Sequence, residues 1–332
     1  MQVGLYFDLR NPPRWRQDPA RLHAFTLELC EEADRLGVHS LWFTEHHKFD
    51  DGYLAQPLTF TAAVAARTTR ARIGTAVLVA PLHHPVRLAE EAAVVDLVSN
   101  GRLDLGLGAG YRKPEYDLYG ASMERRYAQT DGRITDLRAL WREGGVTPKP
   151  IQDPVPLWLG YLGPQGAGRA GRLGTGLLTA NAEMWPYYRD ALVGAGHDPA
   201  TGRMAGGIQG WVSTDPERDW AWVAEHLGYQ VDSYRRHMVE GTDQPAPAAV
   251  DPDKLRSREP RTSIDYFFLE TPERMAERVH AYTAGAPVET VWFWASIGGM
   301  SEERARDHVQ LVCSKLAPLL QEPGSDDEED RP

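Results

Sequence analysis

Cysteine is scarce in this 332-residue chain: Cys30 and Cys313 are the only two, and no Cys-x-x-Cys spacing occurs. That excludes a disulfide framework and a thiolate metal knuckle, and two reduced, buried thiols fit a cytoplasmic protein. No stretch reaches the roughly 18 consecutive apolar residues of a membrane helix, and MQVGLYFDLR leads directly into a strand, so no membrane or export segment is expected. Basic charge is also short, with 36 Lys and Arg against 47 Asp and Glu, a net charge of -11 and no basic block. A nucleic-acid partner is therefore not expected. There is no Gly-x-Ser-x-Gly elbow for serine hydrolysis. His46, His47, His83 and His84 lack any recognised ligand spacing, so no metal site is expected.

Low complexity is confined to the end, residues 321–332, where the acidic EPGSDDEEDRP from Glu322 has no apolar residue to offset its ordering entropy and reads as a disordered tail. Before it, residues 1–320 alternate short apolar runs with segments of helical period, the pattern of parallel strands joined by helical crossovers. Eight strands are expected: Val3 to Phe7, Ser40 to Phe43, Ala71 to Val79, Leu103 to Leu107, Leu157 to Gly160, Gly176 to Thr179, Gly206 to Ser213 and Thr290 to Ala295. An open doubly wound sheet gives a similar rhythm, but the count of eight favours one (β/α)₈ TIM barrel. The proline-rich, charged segment from Gly241 to Thr262 interrupts that rhythm and is expected to form a mobile lid.

In a barrel, chemistry gathers at the carboxyl ends of strands. There the second strand stops in Glu45-His46-His47, a carboxylate beside two imidazoles that suits proton transfer near neutral pH. After the fourth strand come Gly108, Ala109, Gly110 and Tyr111. Leu105 to Gly110 is not a full G-x-G-x-x-G, and Tyr111-Arg112-Lys113-Pro114 follows with no capped helix, so it is not read as a nicotinamide fingerprint. Its glycines either let a flat ring lie against the backbone or serve packing within the barrel. After the fifth strand, Tyr161, Leu162, Gly163 and Gly166 open a helix whose free N–H groups suit a phosphate, an ordinary turn being the alternative. Phe7, Asp8, Tyr111, Trp292 and Trp294 are pocket candidates that favour a small apolar or aromatic substrate.

Several of these segments together resemble the bacterial luciferase-like flavin-dependent monooxygenases. They are TEHHKFDDGY, then RTTRARIGTAVLVAPLHHPVRLAEEAAVVDLVSNGRLDLGLGAGYRKPEYDLYG, then PLWLG, AGRLG and FLETPERMAERV. The resemblance covers roughly residues 1 to 320 and is most specific from Thr44 to Gly120. It implies a (β/α)₈ barrel and places the family's catalytic histidine on His46, with Glu45 and His47 beside it. It also implies a non-proline cis peptide at Ala76-Val77 under the flavin. Gly108 and Ala109 stand where luciferase has a cysteine near the flavin and an arginine on its phosphate. Gly163 and Gly166 replace a serine and a threonine, which leaves backbone N–H groups for the phosphate. The implied chemistry is two-component: a partner flavin reductase supplies reduced FMN, dioxygen forms a flavin hydroperoxide, and His46 manages the proton. A deazaflavin-dependent oxidoreductase is the alternative, a non-catalytic flavin-binding barrel a third reading, and a homodimer through the second and third helices an expectation.

Overall fold

The computed structural model describes residues 1–256 and 267–321. The expected tail from Glu322 onward and the 257–262 part of the expected lid lie outside the described residues. Eight parallel walls close into a TIM barrel. They are β1 (Gln2–Phe7), β2 (Ser40–Phe43), β3 with β4 (Arg72–Thr75 and Leu78–Val79), β5 (Leu103–Gly108), β6 (Leu157–Leu159), β7 (Gly176–Leu178), β8 (Met204–Gly207) and β11 (Val288–Trp294). Closure comes from the β3–β5 and β1–β11 pairings. The third wall is interrupted at Ala76-Val77, whose peptide bond is cis.

Helices α1 (Pro19–Arg35), α2 (Pro57–Arg67), α3 (Pro85–Ser99), α5 (Arg126–Arg142), α6 (Gly163–Leu173), α7 (Trp185–Gly194), α8 (Pro216–Val239), α9 (Pro272–Thr283) and α10 (Glu302–Leu311) accompany the strands. One short helix, α4 (Lys113–Tyr119), was not anticipated. Its punctuation is Pro114 in the first turn and left-handed Gly120 at the end. The expected seventh strand, Gly206 to Ser213, divides: β8 stays in the barrel, while β9 (Gly210–Val212) leaves to pair with β10 (Phe268–Glu270). The last helical segment changes pitch, since a π turn at Val312–Leu316 separates α10 from α11 (Ala317–Gln321).

Alternation along the strands sorts the core into two layers. Leu5, Phe7, Leu41, Phe43, Val291 and Phe293 face outward under the helices. Inside, Trp42, Trp158 and Trp292 cluster and fill the barrel. Trp42 stacks on Trp292 at 4.6 Å between centroids and meets Trp158 edge-on at 6.3 Å. Gly74 and Gly176 give them room, because a Cβ there would lie 2.5 Å from Trp42 and 2.2 Å from Trp158. No helix among the described residues is long and apolar enough to cross a membrane.

At the β9 end, His308 lies flat on Trp211 with ring centroids 3.6 Å apart and is 1% exposed. Burial pushes its imidazole down to about 3. The unfolded chain takes up that proton near the ordinary histidine value of about 6.5, so stability is lost as pH falls from there toward 3. The loss at pH 5 should be about 2 kcal/mol. Urea midpoints at pH 7 and pH 5 should converge in His308→Gln relative to the parent; equal acid sensitivity in the two proteins would reject this account.

Candidate active site

The turn after β2 is fixed by Glu45, whose side chain has no solvent exposure. Its Oε2 accepts the Val79 backbone N–H at 2.5 Å, and its Oε1 accepts His47 Nε2 at 2.9 Å and His83 Nε2 at 2.8 Å. Burial alone would raise this carboxyl, but the hydrogen bonds from His47 and His83 outweigh it and hold it below its ordinary value. Glu45 thereby ties the end of the second wall to β4 beyond the cis peptide. His47 is used up by the same arrangement, since Tyr119 donates its hydroxyl to Nδ1 at 3.2 Å.

His46 points the other way. Its Nδ1 donates to Glu115 Oε1 at 2.8 Å, and the same oxygen accepts the His47 backbone N–H at 2.8 Å. Glu115 comes from α4 and is fully buried. Among the described residues Nε2 of His46 has no hydrogen-bond partner, and the side chain keeps 10% exposure. Phe49, Tyr53 and Tyr111 surround the ring, with centroids 4.7, 4.8 and 5.1 Å away. Arg112, 1% exposed, braces the turn by donating to the carbonyls of His47 and Lys48 and to Glu240. The result is an imidazole held by one nitrogen with the other free.

Below it, Tyr6 donates its hydroxyl to the Ala76 carbonyl at 2.8 Å, and Ala76 and Val77 are partly exposed. The glycines nearby leave room for the side chains of this interrupted wall. A Cβ on Gly108 or Gly160 would lie 2.4 or 2.3 Å from the Val77 side chain, and one on Gly110 would lie 2.7 Å from Val79. Ala109 is buried, and its carbonyl accepts the Tyr116 hydroxyl.

Further round the rim, α6 begins at Gly163 with φ of +70° and no side-chain cap, behind Leu162, which is 81% exposed. Nothing stands within 4 Å of a Cβ on Gly163, whereas one on Gly166 would run into Tyr161. Tyr161 donates to Asp131 at 3.0 Å, and Arg169 pairs with the same carboxylate. An 11-residue helix thus begins with N–H groups that no side chain caps.

The five pocket candidates separate. Tyr111 borders His46, Asp8 is paired with Arg10, and Trp294 flanks Tyr6 at 4.3 Å. Phe7 does not reach the mouth: with Tyr6 and Asp8 facing in, period two turns it outward, where it stacks on Phe43 at 5.3 Å. Trp292 belongs to the tryptophan cluster inside the barrel. Sequence reasoning missed Tyr6, Arg10, Phe49, Asp51, Arg112, Glu115 and Tyr234. Only Glu115 left a signal, as the buried acid of a helix that Pro114 and Gly120 delimit.

Fold and mouth define a TIM-barrel protein with an oriented histidine where barrels place their chemistry. The chain belongs to the luciferase-like monooxygenase family, whose model matches residues 1–288. It is 33% identical over 165 residues to the oxygenase component of a flavin-dependent trigonelline monooxygenase from Acinetobacter baylyi, covering 45% of this chain and 46% of that one. It is also 31% identical over 189 residues to an F420-dependent glucose-6-phosphate dehydrogenase from Amycolatopsis mediterranei, covering 51% and 57%. The chain thus spans about half the length of these curated relatives. Its fold resembles that of the monooxygenase RslO1 from Streptomyces bottropensis, with a TM-score of 0.76 at 23% identity over 96% of this chain and 99% of that one.

The carboxylate partners place a ring hydrogen on Nδ1 of His46 and on Nε2 of His47, opposite nitrogens of adjacent histidines. Long-range ¹H–¹⁵N correlations of the imidazoles should show this pair. In Glu115→Ala the His46 assignment should relax while that of His47 persists; matching tautomers in the parent protein would contradict the geometry.

Proposed function

We propose that the protein is a flavin-dependent monooxygenase acting on a small apolar or aromatic molecule. The observation that carries this reading is the free Nε2 of His46, oriented by Glu115 above the Tyr6 and Ala76-Val77 floor. Reduced flavin, when bound, supplies the electrons that let dioxygen react with an organic substrate. The chain fits such a group: the partly exposed Ala76 and Val77 offer a ledge for its ring, and the uncapped start of α6 at Gly163 to Gly166 offers N–H groups to its phosphate. Gly108, Ala109 and Gly110 support the ledge by leaving room for Val77 and Val79.

His46 holds or passes a proton at Nε2, with Glu115 stabilising the charged imidazole as it forms. Glu45 and His47 act as positioning residues. Tyr234 and His237 bring α8 over the mouth, His237 stacking on Phe49 at 3.7 Å. Residues 241–256 run along α8, tied by Asp232 to Val250 and by Arg235 to Ala248. This helix and the segment after it serve as the cover that excludes water. A separate reductase would supply reduced FMN, and the name of the trigonelline relative, an oxygenase component, supports that division. The exposed Val86, Val94, Leu97 and Val98 of α3 suit a homodimer contact.

A second reading, a deazaflavin-dependent oxidoreductase transferring hydride, is supported by the F420-dependent relative.

Anaerobic titration with reduced FMN and with reduced deazaflavin separates the two. Reduced FMN should bind, and oxygen should then be consumed on mixing; deazaflavin binding alone would transfer the protein to the second reading, and binding of neither would end both. Replacing His46 with Ala should lower turnover about 10²–10⁴-fold while leaving cofactor affinity essentially unchanged.

A further inference from the structure

Along the inner wall of the barrel, Gly74, Gly108, Gly160 and Gly176 give up their space to Trp42, Val77 and Trp158. Gly207 does not follow them. It ends β8 and faces inward, since it pairs with Trp292 and lies two residues past Ala205 of the inner cluster, while Ile208 turns out under the helices. It is nevertheless exposed. The three atoms nearest to a Cβ there would all belong to one edge of the Trp292 indole, with Nε1 closest at 2.9 Å. A pit thus opens into the mouth on the seventh wall, with the N–H edge of an indole for its side.

Trp292 is only 5% exposed, yet its N–H has no partner among the described residues. The other two indoles of its cluster spend theirs, Trp42 on Ser40 and Trp158 on Asp104. Gln209, the next inward position after Gly207, meets the Trp294 indole nitrogen at 3.3 Å. An indole only donates, so the amide oxygen is the end that faces it, and the Nε2 hydrogens are left without a partner among the described residues. Two side chains bordering the pit therefore present N–H groups, and neither is ionisable.

An N–H that loses water without gaining an acceptor is unfavourable, so an occupant that suits the pit carries an acceptor atom. Its charge follows from the same two residues. An ammonium would meet donors alone, and a carboxylate would be desolvated with no cation from either. One inward step nearer the opening stand Tyr6 and Trp294, nearly perpendicular with centroids 4.3 Å apart, which offer a face and an edge to a planar ring. The seventh wall lies across the barrel from the Ala76-Val77 ledge on the third, on the side that a ring bound to the ledge leaves open. We propose that Gly207, Trp292 and Gln209 form a specificity subsite for the substrate, which takes the acceptor-bearing edge of an uncharged heteroaromatic ring. Gly207 provides the space, the Trp292 N–H and the Gln209 amide read the acceptor, and the rest of the ring is turned toward the ledge. That the ring then faces a cofactor rests on the flavin-enzyme reading above; its binding does not.

Quinoline, naphthalene and N-methylquinolinium share a bicyclic frame and differ at one edge, which offers an acceptor, a C–H or a blocked cation. Each is titrated into the full chain at about pH 8, where quinoline is uncharged, without cofactor and again with reduced flavin. Calorimetry gives the affinities, and ¹H–¹⁵N spectra follow the tryptophan indoles, with Trp292 identified by its NOE to the Gly207 amide. Quinoline should bind more tightly than N-methylquinolinium and should move the Trp292 N–H downfield, whereas naphthalene should not. Gly207→Ala puts a methyl group into the pit and should weaken quinoline about two- to tenfold, the worth of one hydrogen bond. Gln209→Glu keeps an oxygen for Trp294 but exchanges the amide hydrogens for a carboxylate. It should weaken quinoline and tighten N-methylquinolinium, each about two- to tenfold, and leave naphthalene unchanged. No binding of quinoline, a cation bound as tightly in the parent protein, a Trp292 signal that stays in place, or unchanged affinities in Gln209→Glu would overturn the proposal. A protein that selects quinoline yet takes neither reduced cofactor keeps the subsite and loses the flavin reading; flavin binding without that selection does the reverse.

Discussion

The Glu45 carboxylate is the tie on which the mouth of the barrel depends. The third wall stops at Thr75, passes through the cis peptide and resumes at Leu78, and the Val79 N–H that restarts it is received by Glu45. The same carboxylate holds His47 and His83, so one anion joins the turn after β2, the restart of the third wall and the loop before α3. No water needs to enter this junction, because each buried donor already has its acceptor. Loss of the carboxylate would leave three donors unmet, those of Val79 and His47 buried, at about 1–3 kcal/mol for each buried one. The floor of the site and the position of His46 follow from that junction.

Adjacent histidines divide the work because they face opposite ways. His47 turns into the Glu45 junction and spends both nitrogens there. His46 turns to Glu115 and keeps Nε2 free. Glu115 accepts from the His46 ring and from the His47 backbone with one oxygen, so it fixes both the turn and the imidazole. Arg112, one helical turn earlier, carries the brace outward to Glu240 at the end of α8. The turn that carries His46 and the end of α8 are thereby linked through a single buried guanidinium.

Much of the architecture was legible in sequence because it rests on local periodicity. Eight apolar runs marked eight walls, and period two along β11 sets Trp292 and Trp294 on one face and Phe293 on the other, as the structure has them. The same rule, applied to Phe7 and Asp8, would have separated them. What stayed hidden was contact across long separations. Glu115 meets His46 from 69 residues away, and Asp51 meets Arg10 from 41. Neither spacing is periodic, so no local pattern announces it. The division of β8 from β9 was hidden for a related reason, since β9 finds its partner in Phe268–Glu270, a segment too short to declare itself. The glycines of β5 were conspicuous, but their purpose depended on where Val77 turned.

The three indoles of Trp42, Trp158 and Trp292 make the barrel a cup and not a tube. Traffic then has one door. On the flavin-enzyme reading proposed above, a cofactor resting on Tyr6 and the Ala76-Val77 ledge would arrive before a substrate stacked above it and depart after it. The order of uptake and release would then be set by packing at the far end of the molecule, on residues that touch neither of them.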